Sequence, residues 1–142
     1  MSFHLGVERV TIDLDRAELT DGQVAAAEAR ANAIVQEDRE VRTHWTTRDD
    51  LARFPLRKPP QVEGAIRIVE VAEFDYSACG GTHVARTGAI GLVKVLGRER
   101  YKGGVRVEFL CGGRALADYA WKHAALAALA QRFSTQDREV DA

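Results

Sequence analysis

Cys79 and His83 stand four residues apart, with Gly80, Gly81 and Thr82 between them. A thiolate and an imidazole at that spacing, around glycines that let the backbone fold tightly, suit a borderline-soft ion. Zn2+ is the best fit, because it takes both donors in one tetrahedral shell. Without a metal, the same pair reads as a nucleophile and its base, with Cys79 attacking and His83 taking the proton once a third group orients the ring. Each side chain also has an ordinary fate, a small core cysteine and a hydrogen-bonded loop histidine. Two ligands do not make a site, so the surrounding residues decide. A second chemistry-bearing stretch holds Arg98, Arg100, Tyr101 and Lys102. Cations there neutralise phosphates while the aromatic ring stacks on an unpaired base, and the plainer reading is a solvated hairpin tip. Arg57 and Lys58 form a smaller basic pair.

These residues need elements to place them. Residues 9–14 alternate apolar and polar side chains, which predicts a half-buried strand. Thr20 with Gln23 fits a capping box and opens a helix over residues 21–38, with Val24, Ala27, Ala31, Ile34 and Val35 on one face. Residues 40–46 alternate again and carry β-branched and aromatic side chains, so they predict a strand. Residues 49–53 suggest one helical turn. Pro55, Pro59 and Pro60 then keep the chain extended. Residues 66–71 are the strongest strand and lead into the Cys/His loop. Residues 90–95 and 104–110 predict a hairpin across a charged turn at 98–104, and residues 114–133, rich in Ala and Leu, a closing helix. The expected fold class is α+β, an antiparallel sheet packed against helices. A single domain over residues 1–133 and a frayed tail over 134–142 complete the expectation.

Composition sets outer bounds. At 142 residues, 46% hydrophobic and 29% charged, the chain can bury an ordinary core without staples. A net charge of −1 excludes a global basic field, so contact with nucleic acid would come from a local patch. No apolar run approaches a membrane span, and the first ten residues, with His4, Glu8 and Arg9, are not a signal peptide. Two cysteines allow at most one disulfide. With no export signal, that favours a reducing cytoplasm and free or metal-bound thiols. Cys111, ahead of Gly112 and Gly113, reads as a core residue, His44 as a strand residue facing solvent or packed, and His123 as a surface or interface residue.

The text around Cys79 carries a resemblance. Cys-Gly-Gly-Thr-His-Val at 79–84, with Thr-Gly-Ala-Ile-Gly at 87–91, resembles the editing domain of alanyl-tRNA synthetases and their free-standing relatives. Further matches fall in order: residues 2–6 and 11–14, the Ala-rich stretch 26–35, Arg57 to Pro60, Glu63–Gly64, Arg67 to Glu70, and Arg106 to Phe109 with Cys111–Gly112. The resemblance implies an editing-domain-like fold and zinc-dependent hydrolysis of seryl- or glycyl-tRNA mischarged on alanine tRNA. Cys79 and His83 would be metal ligands. Gly80, Gly81 and Thr82 would line the pocket floor, with backbone amides near the ester oxygen and the Thr82 hydroxyl bonded to it. The basic stretch Arg98, Arg100, Tyr101 and Lys102 would grip the tRNA. One part of the pattern is missing. The family takes two more zinc ligands from an H-x-x-x-H helix, and His4, His44, His83 and His123 include no such pair. The chain therefore reads as a fragment or as a naturally shortened protein. In a fragment the missing segment would carry the further ligands; in a shortened protein His4 or a second copy of the chain could complete the shell. The alternative is a non-catalytic module that binds tRNA or a partner through an incomplete metal site.

Overall fold

The computed structural model describes residues 2–7, 10–61 and 64–140. Arg9 and Glu63, which entered the sequence reading, lie outside the described residues, as do Met1, Glu8, Val62 and the last two positions of the tail. The chain divides into two compact units, residues 29–91 and the combination of 1–28 with 92–142. Among the described residues the architecture is α+β, with two antiparallel sheets and two α-helices.

The unit of residues 29–91 is built on a three-stranded sheet in the order β3 (Val41–Thr46), β4 (Ile66–Val71), β5 (Asp75–Ala78). The central strand is the most apolar. Ile66, Ile68 and Val69 are buried together with Ile34 and Val35 from the C-terminal half of helix α1 (Asp21–Gln36). Helix α1 opens as its sequence predicts. Thr20 Oγ1 accepts from Gln23 N–H at 3.2 Å, and Gln23 Oε1 accepts from Thr20 N–H at 3.0 Å, the reciprocal capping box. The helix stops at Gln36, two residues before the predicted end, because Asp38 turns left-handed at φ 47°. The expected helical turn at 49–53 appears as a short 3-10 turn, Leu51–Arg53. Strand β5 is an addition to the sequence reading.

The unit of residues 1–28 and 92–142 holds a four-stranded sheet in the order β1 (Ser2–Leu5), β2 (Val10–Leu14), β7 (Gly104–Cys111), β6 (Val93–Tyr101). Val10, Val105, Val107 and Leu110 are its buried apolar residues, joined by Ala115 and Ala130 of helix α2 (Gly113–Phe133). Here the structure corrects the expected hairpin. Residues 98–101 are strand, paired rung by rung from Arg98↔Val107 to Tyr101↔Gly104, and the turn is only Lys102 and Gly103. Both turn residues have positive φ, 49° and 80°, the twist that a two-residue hairpin needs. Gly104 follows for a steric reason, since a Cβ there would strike the Leu14 carbonyl. Thr135 N–H donates to Ala130 carbonyl at 3.0 Å, and a 3-10 turn covers Asp137–Glu139. Among the described residues, no helix is long and apolar enough to cross a membrane.

Candidate functional site

The Cys79 loop is a continuation of the sheet. Beyond Ala78 the ladder runs one step further, with Cys79 N–H donating to the Arg67 carbonyl at 3.1 Å. Arg67 is also the cross-strand partner of Trp45. Trp45, Arg67 and Cys79 therefore form one rung across three strands. The Arg67 guanidinium then reaches along the loop. Its Nη1 donates to the carbonyls of Cys79 at 2.9 Å and Gly81 at 2.7 Å, and its Nη2 to Thr43 Oγ1 at 3.3 Å. Gly81 N–H points back at Cys79 Sγ, 3.4 Å away. One planar cation thus holds two carbonyls of the Cys-Gly-Gly turn, the first and the last.

The far side of the loop has its own anchor. Val41 N–H donates to Ala85 carbonyl at 2.9 Å, and Arg86 pairs with Asp38 at 2.6 Å. Thr87 is buried. Its hydroxyl donates to Ile34 carbonyl at 2.7 Å and accepts from Arg39 N–H at 2.8 Å. Gly88 N–H donates to Asp38 Oδ1 at 3.1 Å, and a Cβ at Gly88 would stand 2.5 Å from that oxygen. The Ala-Arg-Thr-Gly half of the sequence pattern therefore ties the loop to the end of α1. Between the anchors, Thr82 and His83 are exposed and Cys79 is half-buried. Desolvation, followed by the nearby Arg67 charge, holds the His83 ring below its ordinary pKa, so at neutral pH it keeps a lone pair free to accept.

Beside the rung lies a cleft of about 540 Å³, lined by Trp45, Pro60, Gln61, Arg67, Cys79 and Gly80 among others. Its described lining holds no carboxylate, so Arg67 is the charged group there. Thr82 and His83 are outside that lining.

The other predicted residues sit in the unit of residues 1–28 and 92–142. His4 Nε2 lies 3.2 Å from Asp13 Oδ2, in a network where Arg106 donates to both Asp13 oxygens at 2.6 and 3.0 Å. Arg106, and then Ser2 and His4, hold Asp13 far below the usual carboxylate range. Arg98 is paired with Asp21 at 2.6 Å. Arg106 covers one face of the Tyr101 ring at 3.4 Å from its centroid, with Lys102 Nζ at 5.1 Å. Arg100 is exposed. Among the described residues, no group of three or more His, Cys, Asp or Glu side chains is placed to hold a metal. In the same unit His123 stacks on Tyr119, and the Cys111 thiol is pushed up by burial.

Three features have no role in the sequence reading. Arg67 was one residue of a longer pattern, and Trp45 a strand aromatic; the alternation placing Trp45 opposite His44 was the available signal. The third is a buried carboxylate. Glu70 accepts from Tyr76 OH at 2.8 Å and lies 2.7 Å from His44 Nε2, with the Phe54 ring against both aromatic partners. His44 therefore packs against a charge. Its hydrogen bond, with that of Tyr76, keeps Glu70 below the ordinary 4.5.

Comparison with known proteins gives the class. Residues 66–108 match the model of the threonyl and alanyl tRNA synthetase second additional domain. That stretch covers β4, β5, the Cys79 loop, β6 and most of β7. An alanine–tRNA ligase from Thermofilum pendens is 44% identical over 69% of this chain and 11% of its own length. Those of Korarchaeum cryptofilum and Halobacterium salinarum are 32% and 36% identical over 96% and 95% of the chain. The chain spans only 16% and 15% of those two ligases. By these matches most of the chain is similar to one part of alanyl-tRNA synthetases, and residues 66–108 to their second additional domain.

Proposed function

We propose that the chain acts on tRNA as an editing hydrolase, cleaving the ester of seryl- or glycyl-tRNA mischarged on alanine tRNA. The observation that supports this reading most is the Arg67 clasp. It fixes the Cys-Gly-Gly turn beside an open cleft, next to a histidine held neutral. In the reaction, water adds to the ester carbonyl, the carbon–oxygen bond to the ribose breaks, and the ribose oxygen takes a proton. The Gly80 amide and the Thr82 hydroxyl would bind the carbonyl oxygen as charge gathers on it. A neutral imidazole at His83 is in the protonation state that metal binding requires. With Cys79 it supplies soft nitrogen and sulfur donors, which suit zinc and make half a tetrahedral shell. A bound zinc would lower the pKa of its water or fix the ester in place. His4, engaged by Asp13, would have to leave that network to act as a ligand.

A second reading is a module that binds tRNA or a partner without hydrolysis. The two-donor set at Cys79 and His83 favours it, because no third ligand of the usual kinds clusters with them among the described residues. A thiol-nucleophile enzyme fits less well. Among the described residues, the hydrogen bond at Cys79 Sγ comes from Gly81 N–H and not from an imidazole.

Deacylation of alanine tRNA mischarged with serine, measured with zinc added and after chelation, separates the readings. Zinc-dependent release of serine that disappears in Cys79→Ala and His83→Ala supports the hydrolase. Binding of the tRNA without release at any zinc level supports the module. Full activity in Cys79→Ala removes that residue from the metal site.

A further inference from the structure

We propose that Asp38 is a positioning residue for the Cys79–His83 pair, its side chain latching the far end of their loop to the end of α1. The proposal rests on the reading of that pair as the working part of the site, and adds the residue that sets the distance between its two members.

The path of the loop shows what a latch would do. Cys79 continues β5 on one side of the central strand β4, with its N–H on the Arg67 carbonyl. The loop ends on the opposite side of the sheet. Ala72 N–H donates to the Glu40 carbonyl, so Glu40 faces β4, and the backbones of Arg39 and Val41 face away from it. On that outer edge Val41 N–H donates to the Ala85 carbonyl, and Thr87 N–H to the Arg39 carbonyl at 2.8 Å. Arg86 is bridged antiparallel to Glu40 between them. The chain from Cys79 to Ala85 therefore crosses the sheet from one edge to the other, and the Arg67 bond to the Gly81 carbonyl marks the face it crosses. Three interstrand steps make about 14 Å. Six residues reach at most about 20 Å. Such a strap has little slack, so the point where its far end is held fixes where His83 stands relative to Cys79.

Asp38 holds that end. Its backbone turns left-handed at φ 47° just after α1. One carboxylate oxygen accepts from Gly88 N–H at 3.1 Å and the other from Arg86 Nε at 2.6 Å, while Arg86 Nη2 donates to the Asp38 carbonyl. The residues on both sides of Thr87 thus end on one side chain. The fit is close, because a Cβ added at Gly88 would strike the carboxylate. Asp38 acts through the loop and not on the reacting atoms.

The test compares the full natural chain with Asp38→Gly, Asp38→Asn and Gly88→Ala. Glycine keeps the left-handed turn without steric cost and removes the latch. Asparagine tolerates the same turn and keeps an acceptor. Amide hydrogen exchange is followed residue by residue. Asp38→Gly and Gly88→Ala should each speed exchange at residues 81–88 about tenfold, while the amides of β4 and β7 keep their rates. Asp38→Asn should stay near the natural chain. When Asp38→Gly and Gly88→Ala are combined, the carboxylate that the new Cβ strikes is gone, so the two effects should not add. Zinc affinity, measured by competition with a coloured chelator, should fall about tenfold in Asp38→Gly and little in Asp38→Asn, a loss typical of groups that orient a ligand from outside the metal shell. Unchanged exchange at 81–88 in Asp38→Gly would overturn the proposal, as would an Asp38→Asn chain as loose as Asp38→Gly. Faster exchange spread over β4 would mean that Asp38 only supports the fold, and would overturn it too. So would zinc held equally well by the natural chain and Asp38→Gly. Neither measurement needs turnover. Loosening confined to the loop, with no zinc taken up by any chain, would remove the metal reading and keep the latch, whereas zinc-dependent deacylation with unchanged exchange in Asp38→Gly would do the reverse.

Discussion

Arg67 is the side chain on which the candidate site depends most. Replacing it with Lys keeps the charge, but one ammonium on a flexible stem cannot hold two loop carbonyls and Thr43 in a planar fork. On the hydrolase reading, Arg67→Lys should lower kcat/KM for mischarged tRNA by about tenfold or more. The unfolding free energy should fall by about 1–2 kcal/mol, since the hydrogen bonds removed are partly exposed. Urea melts and single-turnover deacylation read the two separately. Glu70 makes a different prediction. Its carboxyl titrates below the ordinary 4.5 in the folded chain, because His44 and then Tyr76 donate to it. A depressed folded pKa adds stability that is complete above the ordinary value and is lost as pH falls through the folded one. The gap between the urea midpoints of the natural chain and Glu70→Gln should therefore be widest near neutrality and close as the buffer is taken from about pH 5 to about pH 3. A gap that stays constant over that range would mean that Glu70 is not ionised in the folded state. The residue types at 79–83 were readable from the sequence because their spacing is local. Arg67 was not, since its grip on the loop exists only after β4 and β5 pair.

At the scale of elements, the capping box of α1 and the hairpin turn carry sharp expectations. Thr20→Ala removes the acceptor for Gln23 N–H and should cost about 1 kcal/mol in chemical denaturation. Gly104→Ala sets a Cβ against the Leu14 carbonyl, where β7 meets β2. Backbone cannot yield there as a side-chain tip would, so this change should cost more than the cap and broaden amide signals along β2 and β7. Unchanged amide spectra would mean that β2 gives way more easily than its packing implies. The elements carried by periodic apolar residues, β2, β3, β4, α1 and α2, were legible in advance. The charged half of β6 was not, because Arg98, Glu99 and Arg100 look like turn residues. The backbone ladder and the two positive-φ positions at 102 and 103 decide the matter. Strands β1 and β5 are four residues each, pairing with the adjacent strands β2 and β4, and are too short to show a periodic apolar pattern of their own.

Over the whole molecule, the net charge of −1 would leave any affinity for RNA to a few local cations. With Arg98 paired to Asp21, the hairpin tip offers Arg100 and Lys102. If the tip grips phosphate, the double change Arg100→Gln with Lys102→Gln should weaken tRNA binding for every sequence alike. It should also make the slope of log K against log salt shallower by about 2. An unchanged slope would return the tip to an ordinary solvated turn.

The two thiols of the chain also differ in a way that chemistry can use. Cys111 has its thiol pushed up from its ordinary value by burial, so at pH 7 it stays protonated and slow to alkylate. Cys79 instead lines an open cleft. A maleimide in modest excess should therefore attach one dye per chain, at Cys79, without any engineered cysteine, and mass spectrometry after digestion would locate it. The natural chain thus comes with its own reporter at the mouth of the cleft, whose colour or polarisation would register whatever enters there.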